Sequence, residues 1–179
     1  MKRFLLLLAL LAACVCLARA QFSTAYVTGG ASLTGSEVAP QLTAGYSFSL
    51  GEFVDIGAQF EYNSVEHEDM SEHHPFRGRH DVFAYYGTLD VWFLNLEAMR
   101  LGAYVAPGYA TTRIRGGYYD DYRYVGFAGK LGLRGQVVLY GNLSLLVALG
   151  GQLLPKYEDW NHEASKFGGF AQVGLAATF

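Results

Sequence analysis

Between Ser64 and His80 the chain carries Glu66, His67, Glu68, Asp69, Glu72, His73, His74 and His80, ligand types that bind a divalent cation when a scaffold fixes them. Their spacing matches no recognised site, so a solvated acidic loop is the reading and no metal centre is expected. A second cluster, Arg113, Arg115, Tyr118, Tyr119, Tyr122, Arg123 and Tyr124, has the tyrosine and arginine content of surfaces that recognise proteins or glycans. A third, His162 and Ser165 with Glu158, Asp159 and Glu163, holds the parts of a nucleophile and base. All of them sit on one polar loop with no strand to fix them, so neither a catalytic residue nor a cofactor is expected. The last set is dispersed: Asp55, Glu61, Asp90, Lys130 and Arg134 each interrupt an otherwise apolar segment.

The segments that must position these residues are legible from composition. Of 179 residues, 51% are hydrophobic and only 16% charged, with 22 glycines, 13 tyrosines and 12 phenylalanines against four prolines. That usage excludes a disordered chain and favours short strands joined by turns. Met1–Ala20 reads as a secretory signal, with Lys2 and Arg3 at its start, an apolar run Phe4–Leu17 and a small-x-small cleavage site at Ala18-Arg19-Ala20. Leu11-Ala12-Ala13-Cys14 resembles a lipoprotein cleavage box, but the ordinary site is better placed. The chain from Gln21 keeps ten basic side chains, once Lys2, Arg3 and Arg19 are removed from 13, against 16 acids, a net charge of −6. No basic surface remains to attract nucleic acid. Cys14 and Cys16 lie inside the signal, so the exported chain has no thiol and must be held by pairing and packing.

Beyond the signal no segment sustains a 3.6-residue period; alternation recurs instead. In the last segment Phe167, Gly169, Ala171, Val173, Leu175, Ala177 and Phe179 share one face, while Gly168, Phe170, Gln172, Gly174, Ala176 and Thr178 share the other. Seven more such segments lie near 22–33, 41–50, 53–63, 80–94, 100–110, 122–138 and 143–154. Short joins, as at Gly51-Glu52 and Tyr140-Gly141-Asn142, take turns with long polar ones at 64–79, 111–121 and 155–166.

Two closed sheets compete for this pattern. A soluble barrel needs a charged exterior, yet the second face of these strands is mainly glycine, alanine, serine, threonine and glutamine, which suits a crowded lumen. A membrane barrel inverts the faces, uses strands of about 9–11 residues and leaves no edge unpaired in hydrocarbon. The expected fold is therefore all-β: an eight-stranded antiparallel up-and-down transmembrane β-barrel over residues 21–179. Val27, Leu42, Phe60, Tyr85, Leu89, Phe127, Leu131, Val147 and Val173 are then lipid-facing, and Asp55, Gln59, Glu61, Asp90, Lys130, Arg134, Gln136, Gln152 and Gln172 point inward. Eight strands enclose a space only just wide enough for side chains. A plug is expected in which Asp55 and Asp90 pair with Arg134, Lys130 joins either side, and Glu61 sits near the outer rim.

The closing strand Phe167–Phe179, with its terminal phenylalanine, and the glycine-spaced hairpin Gly126-Phe127-Ala128-Gly129-Lys130-Leu131-Gly132-Leu133 before Asn142-Leu143-Ser144-Leu145 resemble the eight-stranded outer-membrane β-barrel proteins of the OmpA-domain, OmpX and OmpW kind. The resemblance implies a bacterial outer-membrane location, tight turns on the periplasmic side and outer-membrane lipid around the wall. It also implies Phe179 as a signal to the barrel-assembly machinery, and a non-enzymatic role. That role would be display of loops for structural or adhesive work toward a host protein or glycan, with Arg113, Arg115, Tyr118, Tyr119 and Tyr122 as the recognition set. A narrow pore for small, hydrophobic solutes is the alternative.

Overall fold

A computed structural model describes residues 22–34, 37–69, 76–115, 123–155, 158–159, 162–163 and 167–179. The signal segment, and Glu72, His73, His74, Tyr118, Tyr119, Tyr122 and Ser165, fall outside these residues.

Eight long strands close into one antiparallel barrel: β1 (Ser23–Thr34), β2 (Glu37–Ser49), β3 (Val54–Asp69), β4 (Phe76–Leu96), β5 (Met99–Arg115), β6 (Arg123–Tyr140), β7 (Leu143–Leu153) and β10 (Phe167–Thr178). Two-residue strands β8 (Glu158–Asp159) and β9 (His162–Glu163) form a separate short ladder in the connection before β10. Each long strand pairs with its neighbour in sequence, and β10 returns to β1. Phe179 and Ser23 complete the seam, each amide donating to the other's carbonyl at 2.8 and 3.1 Å.

The ladders fix the barrel's girth. Cross-strand partners lead from Arg134 through Ala148, Gln172, Gly30, Gln41, Asn63, Val82 and Thr112 to Tyr124, ten residues from the start on the same strand. With eight strands, that stagger corresponds to a tilt of about 40° and an interior filled by side chains.

One end of the barrel carries the start of β1 at Ser23, the C-terminal Phe179 and the three tight turns, at 50–53, 97–98 and 141–142. Gly141, at φ 53°, holds the left-handed conformation that a two-residue hairpin turn demands. Register shifts at Trp92/Leu94 and Val138/Tyr140 lie beside two of these turns, where bulges let twisted strands close.

The opposite end departs from the expected loops. The stretches 64–69 and 76–79 are paired strand, from Ser64↔Asp81 to Asp69↔Phe76, and β5 continues to Arg115 opposite Arg79. Polarity marks these stretches as loop, but ladder hydrogen bonds remain net favourable in water and need no apolar face. The β2–β3 ladder ends at Gln41↔Asn63, and the β6–β7 ladder ends at Gly129↔Leu153. Strands β3–β6 therefore rise above the closed barrel as a four-stranded wall.

Candidate functional site: a charged lumen and an apolar exterior

Alternation puts opposite chemistries on the two faces of every strand. Outside, Val125 is 72% exposed, Leu131 66% and Tyr85 60%, with Val27, Leu42, Phe60, Leu89, Phe93, Phe127, Leu149 and Val173 also exposed. Inside, Asp55, Gln59, Glu61, Asp90, Lys130, Arg134, Gln136, Gln152 and Gln172 are all buried. On β4 the outward apolar series runs from Phe83 to Phe93. Ten steps of about 3.3 Å at a tilt near 40° give a band about 25 Å tall, the height of hydrocarbon that membrane barrels span. Aromatic contacts cluster toward its edges, as in Tyr46 against Phe48 at 4.9 Å, Tyr62 against Phe83 at 5.1 Å and Tyr109 against Phe127 at 6.4 Å.

The inward charges are stacked in layers. In the middle, Arg134 on β6 donates to Asp90 on β4 at 2.8 Å and to Gln59 on β3 at 3.4 Å. Its guanidinium lies 4.0 Å from the Tyr104 ring centroid and 5.1 Å from that of Tyr26. The Tyr26 hydroxyl donates to Gln59 at 3.1 Å, so β1, β3, β4, β5 and β6 meet around one cation. Gly45 makes the arrangement possible, because a Cβ there would strike the Tyr26 ring.

Toward the end that carries the β3–β6 wall Lys130 pairs with Glu61, both side chains fully enclosed. Glu61 also accepts from Asn63 at 3.1 Å and Thr43 at 3.3 Å, while the Lys130 ammonium lies 4.3 Å from the Phe170 ring centroid. Glu61 is therefore interior rather than at the rim, where counting from the strand ends had put it. The count failed because β3 extends six residues past Asn63.

Toward the turn end Asp55 accepts from the Trp92 indole at 2.8 Å and from Arg100 at 3.2 Å. The expected joint pairing of Asp55 and Asp90 with Arg134 is corrected here. The two aspartates are direct cross-strand partners, and like charges so placed repel. Each takes its own cation, Arg134 for Asp90 and Arg100 for Asp55. Arg100, whose carbon lies 4.3 Å from the Trp92 ring centroid, was missed together with Trp92, Tyr26, Tyr104 and Phe170. The signal was present: all five occupy the inward parity of their strands.

Of the recognition set, Arg113 and Arg115 stand at the upper end of β5, with Arg113 opposite Arg123 and Arg115 opposite Arg79. Asp81 beside them accepts from the Tyr62 hydroxyl at 2.7 Å and from Arg79 at 3.2 Å. Among the described residues no group of three or more histidines, cysteines or carboxylates is placed to hold a metal ion. Of the His162/Ser165 cluster, Asp159 is paired in register with His162, and Glu158 with Glu163. Phe179 is exposed at the turn end.

No protein-family model and no curated protein matches the sequence. Solved structures match the fold over 88% of the chain. They include Neisserial surface protein A, with 8% identity, 96% of that chain covered and a TM-score of 0.59. A major outer membrane protein from Thermus thermophilus shows 15%, 99% and 0.58. Ail, the attachment invasion locus protein of Yersinia pestis, crystallised with the heparin analogue sucrose octasulfate, shows 12%, 99% and 0.54. The closed ladder, the inverted faces and these likenesses agree: the chain has the fold of the eight-stranded outer-membrane β-barrels.

Proposed function

We propose that the protein is an integral outer-membrane barrel, exported by residues 1–20, with a plugged polar lumen and a raised β3–β6 wall that displays recognition residues outside the cell. The observation that carries this reading is the stack of cross-lumen contacts. Asp55 with Arg100, Asp90 with Arg134 and Glu61 with Lys130 succeed one another along the axis, packed among Trp92, Tyr104 and Phe170. A lumen spanned this way supports a scaffold role rather than passage of solute.

Planar-bilayer recording tests the plug. The wild type is expected to pass no steady current, and Arg134→Ala, which removes the central cation, is expected to introduce one. Steady wild-type conductance that Arg134→Ala leaves unchanged would mean that these residues do not close the path, and would favour the narrow-pore reading.

For the rim, the favoured partner is an anionic glycan or host protein, read by Arg113 and Arg115 with Tyr118, Tyr119 and Tyr122. Support comes from the register, which sets Arg113 opposite Arg123 and Arg115 opposite Arg79 and so gathers four arginines at one rim, a composition suited to anions. The heparin analogue bound to Ail, a barrel of the same fold, points the same way. Binding to immobilised heparin-type oligosaccharide is expected to fall at least tenfold in Arg113→Ala/Arg115→Ala and to weaken with salt. Salt-independent binding, or an unchanged double variant, would count against the assignment. Phe179 is proposed to serve the assembly machinery.

A further inference from the structure

On the outer wall, across β2–β6, the apolar surface is indented by an open trough of about 830 Å³, within the range of roughly 300–1,000 Å³ typical of small-molecule pockets. Small residues, Ala58, Gly87 and Pro107, form its floor, and Phe60, Tyr85, Tyr109 and Phe127 form one wall. A Cβ added at Gly87 would meet nothing within 4 Å, so the floor there is open space.

Pro107 has no N–H, and the β4–β5 ladder registers the consequence. Pairing runs through Tyr85↔Tyr109 and Tyr86↔Gly108, then resumes at Leu89↔Val105 in the same register, without Gly87–Pro107 or Thr88–Ala106. Both omitted pairs depend on the bond that an N–H at position 107 would donate to the Gly87 carbonyl. On its other side Pro107 pairs with Gly129 without interruption, so the loss falls wholly toward β4. Gly87 thus presents a carbonyl without its ladder donor at the floor of an apolar trough, in the zone where no water supplies one.

Three features of the trough describe its occupant. Its apolar walls suit a lipid tail, and the bare carbonyl calls for a hydrogen-bond donor on that tail. On the same outward faces, toward the end that carries the β3–β6 wall, Arg79 of β4 and Arg123 of β6 are exposed, so the head of a lipid lying in the trough meets positive charge. Eight residues separate Arg79 from Gly87, about 26 Å along the strand, which places the donor well down the chain.

We propose that this trough binds an anionic membrane lipid bearing a hydroxylated acyl chain. The chain hydroxyl donates to the Gly87 carbonyl, and the headgroup phosphate meets Arg79 and Arg123. The inference rests on the membrane placement proposed above, and its headgroup contacts, Arg79 and Arg123, lie opposite the rim arginines Arg115 and Arg113.

The test uses full-length protein in phosphatidylcholine nanodiscs, doped in turn with three additives. These are a phosphatidic acid carrying a mid-chain hydroxyl, the same lipid without the hydroxyl, and the free hydroxy acid. Retained lipid is read by native mass spectrometry, and the Gly87 carbonyl by its ¹³C shift. The hydroxylated phosphatidic acid is expected to be retained about tenfold over its plain counterpart, the worth of one hydrogen bond away from water, and to move the Gly87 resonance. Pro107→Ala, which supplies the missing N–H, is expected to abolish that preference while sparing headgroup-dependent retention. Arg123→Gln is expected to lower retention of both phosphatidic acids, and Gly87→Val, which fills the floor, to expel the chain.

Equal retention of the hydroxylated and plain lipids by the wild type would overturn the proposal, as would a preference that survives Pro107→Ala. A free acid retained as well as the lipid would overturn the headgroup assignment, and cross-linking of two copies through Tyr109→Cys would replace lipid by a second chain. Failure to co-elute with nanodiscs at all would instead refute the membrane placement, and is seen before any lipid is counted.

Discussion

Lys130→Met is expected to be among the most destabilising substitutions in this barrel, costing about 3–5 kcal/mol, the range for removing one partner of a buried ion pair. The loss is that of the survivor. Glu61 is fully enclosed and would keep only the neutral donors Asn63, Thr43 and Gln172, so its charge would stay in the lumen without a counter-ion. Neutralising both partners, as in Lys130→Met/Glu61→Gln, removes the isolated charge and is expected to restore more than half of the loss. Urea titration of folding into phospholipid vesicles measures both. If the single variant costs no more than the double, the pair is not acting as a buried pair, and the lumen at that level is wet.

The second large effect lies on the other face of the same strand. Leu131 is the residue after Lys130 and is 66% exposed, so in a water-soluble protein Leu131→Arg would be nearly silent. In a bilayer the same change puts a cation against hydrocarbon and is expected to cost about 2–4 kcal/mol near the midplane. Moving the substitution to Leu143, beside the turn at 141–142, is expected to reduce the cost to about 1 kcal/mol or less, because the side chain then reaches the interface. A cost independent of position, or none at Leu131, would show that this face does not meet lipid. Neighbouring residues thus respond to charge in opposite senses, one by losing it and the other by gaining it.

The position of the β3–β4 polar stretch shows where a reading of alternation weakens. Residues 64–69 carry Glu66, His67, Glu68 and Asp69, and charge density reads as loop because hydrophobic periodicity is the signal for a strand. Above the apolar band that signal has no cause: a strand wet on both faces needs only its neighbour's hydrogen bonds. The wall was therefore hidden in a way that the strands inside the band were not.

Pairing among the lumen charges was hidden for a different reason. Parity alone assigned Asp55, Glu61, Asp90, Lys130 and Arg134 to the interior, since period-two alternation leaves each residue only two choices. Which cation meets which carboxylate depends on stagger, and a single strand carries no information about its offset from the next. Ten residues of shear bring Arg134 to Asp90 and Gln59, and leave Asp55 to Arg100 from the next strand but one. The bare carbonyl at Gly87 belongs with these. Pro107 is visible in the sequence, but the acceptor that it deprives is named only once the register of β4 on β5 is known.

The sequence by itself determined the number of strands, the closure implied by eight alternating segments, and the inversion that turns oily residues outward and charged ones inward. These are properties of each strand, because side-chain direction follows from the pleat. Tertiary structure alone decided the height of the β3–β6 wall, the three separate ion pairs and the trough on the outer surface. Each of those depends on how far one strand slides along another, and that sliding is settled by the whole ring closing at once.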